Sequence, residues 1–530
     1  MASASDANAK LRAARARAAA VTCHALAALV VAVVLGAVHS ARTAADARPT
    51  PASDDEVRQA DVLLSSFLRQ VHETHAESLA MLVRQPSVSD TEGLSDEARK
   101  ATLACHDILE SRFPRTHETL RRDVVADLSL LYTWQGADAS LEPVLLVAHL
   151  DVVPAGPDQA SQWAHPPFSG HVDANGTVWG RGTLDVKGRV VAQLMAIEHL
   201  LENNVKQPKR TILLAYGHDE EVGGRQGAGA IAQLLKTRYP SGIAAVIDEG
   251  GAVTRGGVPG LQMEGAMVGT AEKGYANIVI TATSRGGHAA WPPREGTPAT
   301  TLSQAIAALQ RSPMPPHLPE PGLQMLERCA PLVAEPFRTL FAHARAAPVA
   351  YALARVFPAF TDKSAALVRS TMPVTRLEAG EKDNVVPAEA TAVVNTRILP
   401  GDSLDKVVAH ITGVVSPYGV RVSVMEDRGN SFPVTAPSPI SAASGFFWDA
   451  VERAFHRVYG FREIVVLPFV MLGGTDSKHY VDHAGAVYRL GQRLSASAIA
   501  TVHGVDERET AEGLAEQAAW TVHFLKLSCL

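Results

Sequence analysis

Apolar positions along the chain fall into three textures. Residues 61–84 repeat apolar side chains at helical spacing until Pro86 stops the run. Compact apolar runs then alternate with amphipathic ones. Residues 144–148, 211–216 and 243–247 read as buried strands, with helices expected at 190–201 and 227–236. That alternation predicts an α/β domain on a mostly parallel sheet. Around Glu272-Lys-Gly274 the texture changes. Strands with period-two character at 275–283 and 390–398 bracket a Pro-rich stretch, 312–321, and a helical segment, 331–368. A second, α+β domain is therefore expected as an insertion over 273–431, dividing the main domain into 61–272 and 432–530. A final helix is predicted over 510–526.

The N-terminus departs from this pattern. No charged residue occurs between Arg17 and Arg42, and the 24 uncharged residues between them exceed the roughly 20 needed to span a bilayer core. Lys10, Arg12, Arg15 and Arg17 precede the run; Asp46, Asp54, Asp55 and Glu56 follow it. The excess of positive charge on the short side predicts a signal anchor over 1–42. Such an anchor makes a single-pass type II membrane protein whose bulk is lumenal, vacuolar or extracellular. A signal peptide cleaved near Val38-His-Ser40 or Ala45-Asp-Ala47, giving a secreted protein, is the competing reading. Residues 43–60 read as a linker, and Asn175-Gly-Thr177 is a glycosylation sequon in an expected turn. Net charge is -6, with no basic cluster beyond the N-terminus, which argues against a nucleic-acid partner. Cys23, Cys105, Cys329 and Cys529 are scattered and form neither a C-x-x-C site nor a disulfide framework.

Three expected strands end in chemistry. Residues 144–148 run into His149-Leu-Asp151, 212–216 into Gly217-His-Asp-Glu220-Glu221, and 244–247 into Asp248-Glu-Gly-Gly251. Sites in open α/β sheets form beyond the carboxyl ends of parallel strands. A Gly-rich loop, Gly180-Arg-Gly-Thr-Leu-Asp185-Val-Lys-Gly188, adds a further carboxylate. So many acids in one cleft repel each other without a cation, and imidazole with carboxylate suits zinc. Neither H-E-x-x-H nor G-x-S-x-G occurs, which excludes a zincin and disfavours an α/β-hydrolase.

Read in order, these loops resemble the co-catalytic di-zinc family containing carboxypeptidase S, glutamate carboxypeptidase and aminoacylase. Gly286-Gly-His288, Asn384-Val-Val-Pro387, Gly473-Gly-Thr-Asp476 and His503-Gly-Val-Asp-Glu507 extend the match to nearly the whole chain from Asp61. Gln135-Gly-Ala-Asp and His165-Pro-Pro-Phe-Ser-Gly170 point to the branch holding carboxypeptidase S and the N-fatty-acyl-amino acid synthase/hydrolase. The resemblance implies a ferredoxin-like inserted lid, which also serves dimerisation, and two zinc ions replaceable by cobalt or manganese. Asp185 would bridge the ions, with His149 and Asp248 on one and Glu221 and His503 on the other. Asp151 would orient His149, and Glu220 would act as general base and then proton donor. His288 would stabilise the oxyanion, from this chain or a partner subunit. Arg397 and Asn384 would hold the substrate's terminal carboxylate, while Gly473, Gly474 and Thr475 line its pocket. The implied reaction is cleavage of a peptide or N-acyl amide bond beside a free carboxylate, in a dipeptide, short peptide or N-acyl amino acid. A binding protein that kept the fold without catalysis is the alternative.

Overall fold

The computed structural model describes residues 54–89, 94–156, 161–425, 432–460 and 464–530. The expected signal anchor and most of the expected linker lie outside these. The chain is already helical at Asp54, in the helix Asp54–Gln70, so the linker does not extend to residue 60. Among the described residues no helix is long and apolar enough to cross a membrane.

The main strands are β1 (Arg121–Val125), β2 (Ser129–Trp134), β3 (Val144–His149), β4 (Ile212–Gly217), β5 (Ala245–Asp248) and β6 (Glu264–Glu272), then β7 (Gly274–Thr283), β8 (Val374–Ala379), β9 (Glu389–Ile398), β10 (Arg421–Val424), β11 (Ile464–Met471) and β12 (Val487–Arg489). The large sheet runs β1-β2-β4-β3-β5-β12-β6-β11. Its centre is parallel: β3 pairs β4 on one side and β5 on the other, and β5 pairs β12. β3 is apolar on both faces because both are covered. Val144, Leu146 and Ala148 join a core with the helices Gly188–Glu202 and Ala511–Ser528. Leu145 and Val147 point the other way, toward the helix Ala228–Arg238 and Tyr480. Each fully buried aliphatic chain contributes about 1.5–3 kcal/mol, which holds the C-terminal ends of β3, β4 and β5 in one plane.

Only Lys273 separates β6 from β7, and there the chain leaves for the second sheet, β8-β9-β7-β10. β7 and β9 pair antiparallel from Gly274↔Ile398 to Thr283↔Glu389. The helices Pro298–Arg311 and Leu404–Val415 cover one face through Leu302, Leu309, Val407 and Ile411. The helical stretch expected to belong to this insertion goes elsewhere. Met325, Leu326, Phe341 and Leu353 pack with Leu467 of β11 in a separate core. The cause is strand alternation at the sheet's edge: Val466 faces the first core, and Leu467 needs a cover of its own. These helices are therefore a shield for the large sheet.

Candidate active site

The motif residues meet where the topology directs them. His149 closes β3, Glu220 and Glu221 form the turn after β4, and Asp248-Glu249 follows from β5. Asp185 lies in the turn Thr183–Lys187, ahead of the helix Gly188–Glu202, and His503 arrives from the loop before Arg508–Glu509.

The two oxygens of Asp185 face different imidazoles. His149 Nε2 lies 3.1 Å from Asp185 Oδ1, and His503 Nε2 lies 3.0 Å from Asp185 Oδ2. Each imidazole also faces a second carboxylate: Glu249 Oε1 is 3.2 Å from His149 Nε2, and Glu221 Oε2 is 3.2 Å from His503 Nε2. The result is two nitrogen–carboxylate groups sharing one aspartate. Glu249, not Asp248, fills the fifth place. Asp248 is buried on the other side, where Oδ2 accepts from the Ser477 amide at 2.7 Å and Oδ1 from the Glu249 amide at 2.8 Å. Strand alternation turns Asp248 toward the side of Val246 and Tyr480, which frees Glu249 to reach over the edge.

The electrostatics of this cluster call for cations. Burial and the Asp185 charge push both Glu221 and Glu249 up to about 7. Hydrogen bonds to Asp185 and Glu221 lift His503 to about 11. Burial disfavours the Asp185 charge, but hydrogen bonds from His149 and His503 outweigh it and hold the carboxyl below its usual range. Two like charges 4 Å apart repel by about 4 kcal/mol at an effective dielectric of 20, so protons gather where divalent ions fit equally well. Glu220 and Glu221 each keep a buried Oε1 with no hydrogen-bond partner among the described residues. Mixed imidazole and carboxylate donors, open oxygens and a shared aspartate fit a two-zinc site.

A second layer fixes these side chains. Asp151 is fully buried: its carbonyl lies 3.0 Å and its Oδ1 3.4 Å from His149 Nδ1. The same carboxylate accepts the amides of Glu220 and Glu221, each at 3.1 Å, and the Ser89 hydroxyl at 2.6 Å. One aspartate thus orients an imidazole and anchors the turn carrying both glutamates. On the opposite side, Arg181 Nη1 donates to Glu507 Oε2 at 2.6 Å and Nη2 to the His503 carbonyl at 3.1 Å. Glu507 Oε1 accepts the Leu184 amide at 2.9 Å and the Asp185 amide at 3.2 Å.

The expected substrate residues divide. Arg397 lines a cavity of about 230 Å³ with Gly474, Lys478, Tyr275 and Phe432, its guanidinium 4.8 Å from the centre of the Tyr275 ring. Gly473 directly precedes Gly474 in the chain. Thr475 is not a free donor: its amide and hydroxyl both donate to Glu272, at 2.7 and 3.1 Å. His288 stands on the small ladder between Gly287–His288 and Val385–Val386, and Asn384 in the turn just before it, both exposed. His288 accepts the Ala290 amide at 3.0 Å and stacks on Trp291, so its side-chain contacts among the described residues are local. Lys478 was not anticipated, yet its Nζ lies 3.8 Å from Glu220 Oε1. Its proximity to Gly473-Gly-Thr-Asp476 is the one trace of it in the sequence.

The sequence pattern of Peptidase family M20/M25/M40 matches residues 145–527. The chain is 34% identical to Probable carboxypeptidase S-like 2 of Dictyostelium discoideum over 434 residues, 81% of this chain and 80% of that protein. It is 32% identical to N-fatty-acyl-amino acid synthase/hydrolase PM20D1 of Xenopus tropicalis over 457 residues, 85% of each chain. In fold it is similar to the M20 family metallo-carboxypeptidase Sso-CP2 from Sulfolobus solfataricus, with a TM-score of 0.60 and 18% identity over 85% of this chain and 98% of that one.

Proposed function

This chain belongs to Peptidase family M20/M25/M40, and from that premise we propose that it is a zinc-dependent hydrolase cleaving a peptide or N-acyl amide bond beside a free terminal carboxylate. The observation that carries the reading is the pair of nitrogen–carboxylate groups joined through Asp185, with Glu220 beside them. His149, Glu249, Glu221 and His503, with Asp185 shared, would hold two zinc ions, which when bound act as Lewis acids on the scissile carbonyl and its attacking water.

Glu220 removes the proton from that water as oxygen adds to the carbonyl carbon. It returns the proton to the amine nitrogen as the C–N bond breaks, leaving an acid and a free amine. Its buried position pushes its pKa well above the ordinary carboxylate range, which suits a group that must both accept and return a proton. Asp151 keeps the Glu220 amide and the His149 ring in register through both transfers. Arg397 lies within electrostatic reach of Glu220 and offers the substrate carboxylate a planar fork. His288 supports the oxyanion from an exposed ladder, an arrangement suited to delivery from a partner subunit in a homodimer.

Zinc-loaded protein is expected to release free amino acid from a panel of N-acyl amino acids and dipeptides, to lose that activity to a chelator and to regain it with zinc. Absence of turnover across the panel would overturn the reading in favour of a binding protein. We also propose a type II topology with the enzyme outside the cytosol, motivated by the uncharged run 18–41 and its basic flank. Asn175 is exposed in a turn between His171–Val172 and Val178–Trp179, so a glycan there is expected in the native host. Unglycosylated protein in cytosolic fractions alone would refute that topology.

A further inference from the structure

Three lysines, Lys187 and Lys273 buried and Lys478 nearly so, differ in what their ammonium groups do. Lys187 donates to the carbonyls of Leu82 and Gln85 at 2.9 and 2.8 Å, and Lys273 to that of Arg369 at 2.8 Å. Both have structural work. Lys478 donates no hydrogen bond: its side chain is 14% exposed, and its Nζ is met among the described residues by charge alone. The nearest charges are Glu220 Oε1 at 3.8 Å and Asp476 Oδ1 at 3.9 Å. An ammonium with three donors left open in a buried position is costly unless something enters to meet it.

Its backbone is held firmly. Lys478 sits in the turn Asp476–His479, pinned by the Ser477 amide on Asp248 and by Thr475 on Glu272. Glu272 shares the cavity but is fully committed, since it also accepts from the Ser477 hydroxyl at 3.1 Å and from Arg489 at 2.5 Å. The cavity is lined by Lys478 on one side and by Arg397 on another, among Phe432, Pro433 and Pro437. Such apolar walls strengthen any charge contact made there.

Substrate geometry supplies the occupant. In an amino acid the carboxylate carbon is two bonds from the nitrogen, which places its oxygens roughly 3–4 Å from that atom. Glu220 must come within about 3 Å of the same nitrogen to hand it a proton. A donor beside Glu220 is then within reach of the carboxylate. We propose that Lys478 binds the terminal carboxylate of the substrate, forming with Arg397 a two-cation clamp within one chain. This rests on the hydrolase reading above.

The test uses zinc-loaded full chain, an N-acyl amino acid that the protein cleaves, and the C-terminal amide of the same compound. Lys478→Met is expected to lower kcat/KM for the acid about 10- to 100-fold, chiefly through KM, the size of a lost hydrogen bond to a charged group. The amide should change by less than about 3-fold, because it presents no charge for Lys478 to meet. Lys478→Arg should recover part of the preference for the acid, and zinc content should stay at the wild-type level. Equal losses on acid and amide would overturn the proposal and leave Lys478 as a neighbour of Glu220 alone; so would no loss on either. Should Lys478→Met not fold, Lys478→Gln is read by the same acid-to-amide ratio. A zinc-loaded wild type that cleaves no N-acyl amino acid or dipeptide of the panel would sink the hydrolase reading itself, whereas an active wild type with an unchanged ratio in the variants would sink only the clamp.

Discussion

The motif-bearing edge of the large sheet and the small ladder of the inserted domain hold their polar residues in different ways. At the sheet edge, Asp151, Asp185, Glu220, Glu221, Glu249 and His149 are buried or nearly so, and each is oriented by a second group within hydrogen-bond distance. At the ladder, His288 and the neighbouring Asn384 are exposed, and among the described residues the His288 side chain meets only its own loop. The first region is assembled before substrate arrives; the second awaits something from outside its own loop. The difference follows from cost. Buried charges must be paired or they destabilise the fold, so a cleft of carboxylates requires a full supporting layer. An exposed imidazole carries no such penalty and is left loosely held.

The strongest way to break this comparison is to remove one working group from each side. Glu220→Gln keeps the shape of the buried side chain but cannot take a proton. Turnover is expected to fall on the order of 10³- to 10⁴-fold, the scale of general acid–base catalysis, with bound zinc retained. His288→Ala should cost about 10²- to 10³-fold in kcat, as for a lost oxyanion donor, with an unaltered melting temperature because the residue is exposed. Rates and zinc content measured on both variants decide the matter. Full turnover in Glu220→Gln would remove it as the base. A large drop in melting temperature for His288→Ala would show that the ladder is as tightly built as the cleft.

The same contrast explains what the sequence revealed. The strand expected at 144–148 ends at His149, the helix expected at 190–201 spans Gly188–Glu202, and the final helix, Ala511–Ser528, lies within two residues of expectation. These are local patterns of period and burial. His149, Asp185 and Glu221 stood out for a related reason, since each sits at a strand end or Gly-rich turn whose position the local pattern fixes, whereas His503 was named by the family resemblance alone. What escaped depends on partners far away in the chain. The helices after residue 320 looked like part of the insertion by order alone, but their apolar faces answer Leu467, more than a hundred residues later. Thr475 looked like an open donor until Glu272, some two hundred residues earlier, claimed it. Lys478 carries little local signature beyond its neighbours Gly473-Gly-Thr-Asp476, because its significance lies in an Nζ that makes no hydrogen bond among the described residues.

The choice between Asp248 and Glu249 sharpens the comparison from inside the cleft, where adjacent acids of the same charge have different duties. Glu249 Oε1 stands 3.2 Å from His149 Nε2, whereas Asp248 faces the Ser477 amide and braces the turn that carries Lys478. Glu249→Ala is therefore expected to bind one zinc in place of two and to lose activity at least 10²-fold. The surviving ion should be the one shared by Asp185, Glu221 and His503. Asp248→Asn keeps an acceptor for the Ser477 amide while removing the charge, and should retain both ions. Its effect should stay near or below the 10- to 100-fold typical of residues that support ligands without touching the metal. Zinc stoichiometry of the two purified variants separates the roles. If Asp248→Asn lost an ion and Glu249→Ala kept both, the assignment drawn from the strand's alternation would be reversed, and the turn at Ser477 would have to move to let Asp248 reach His149.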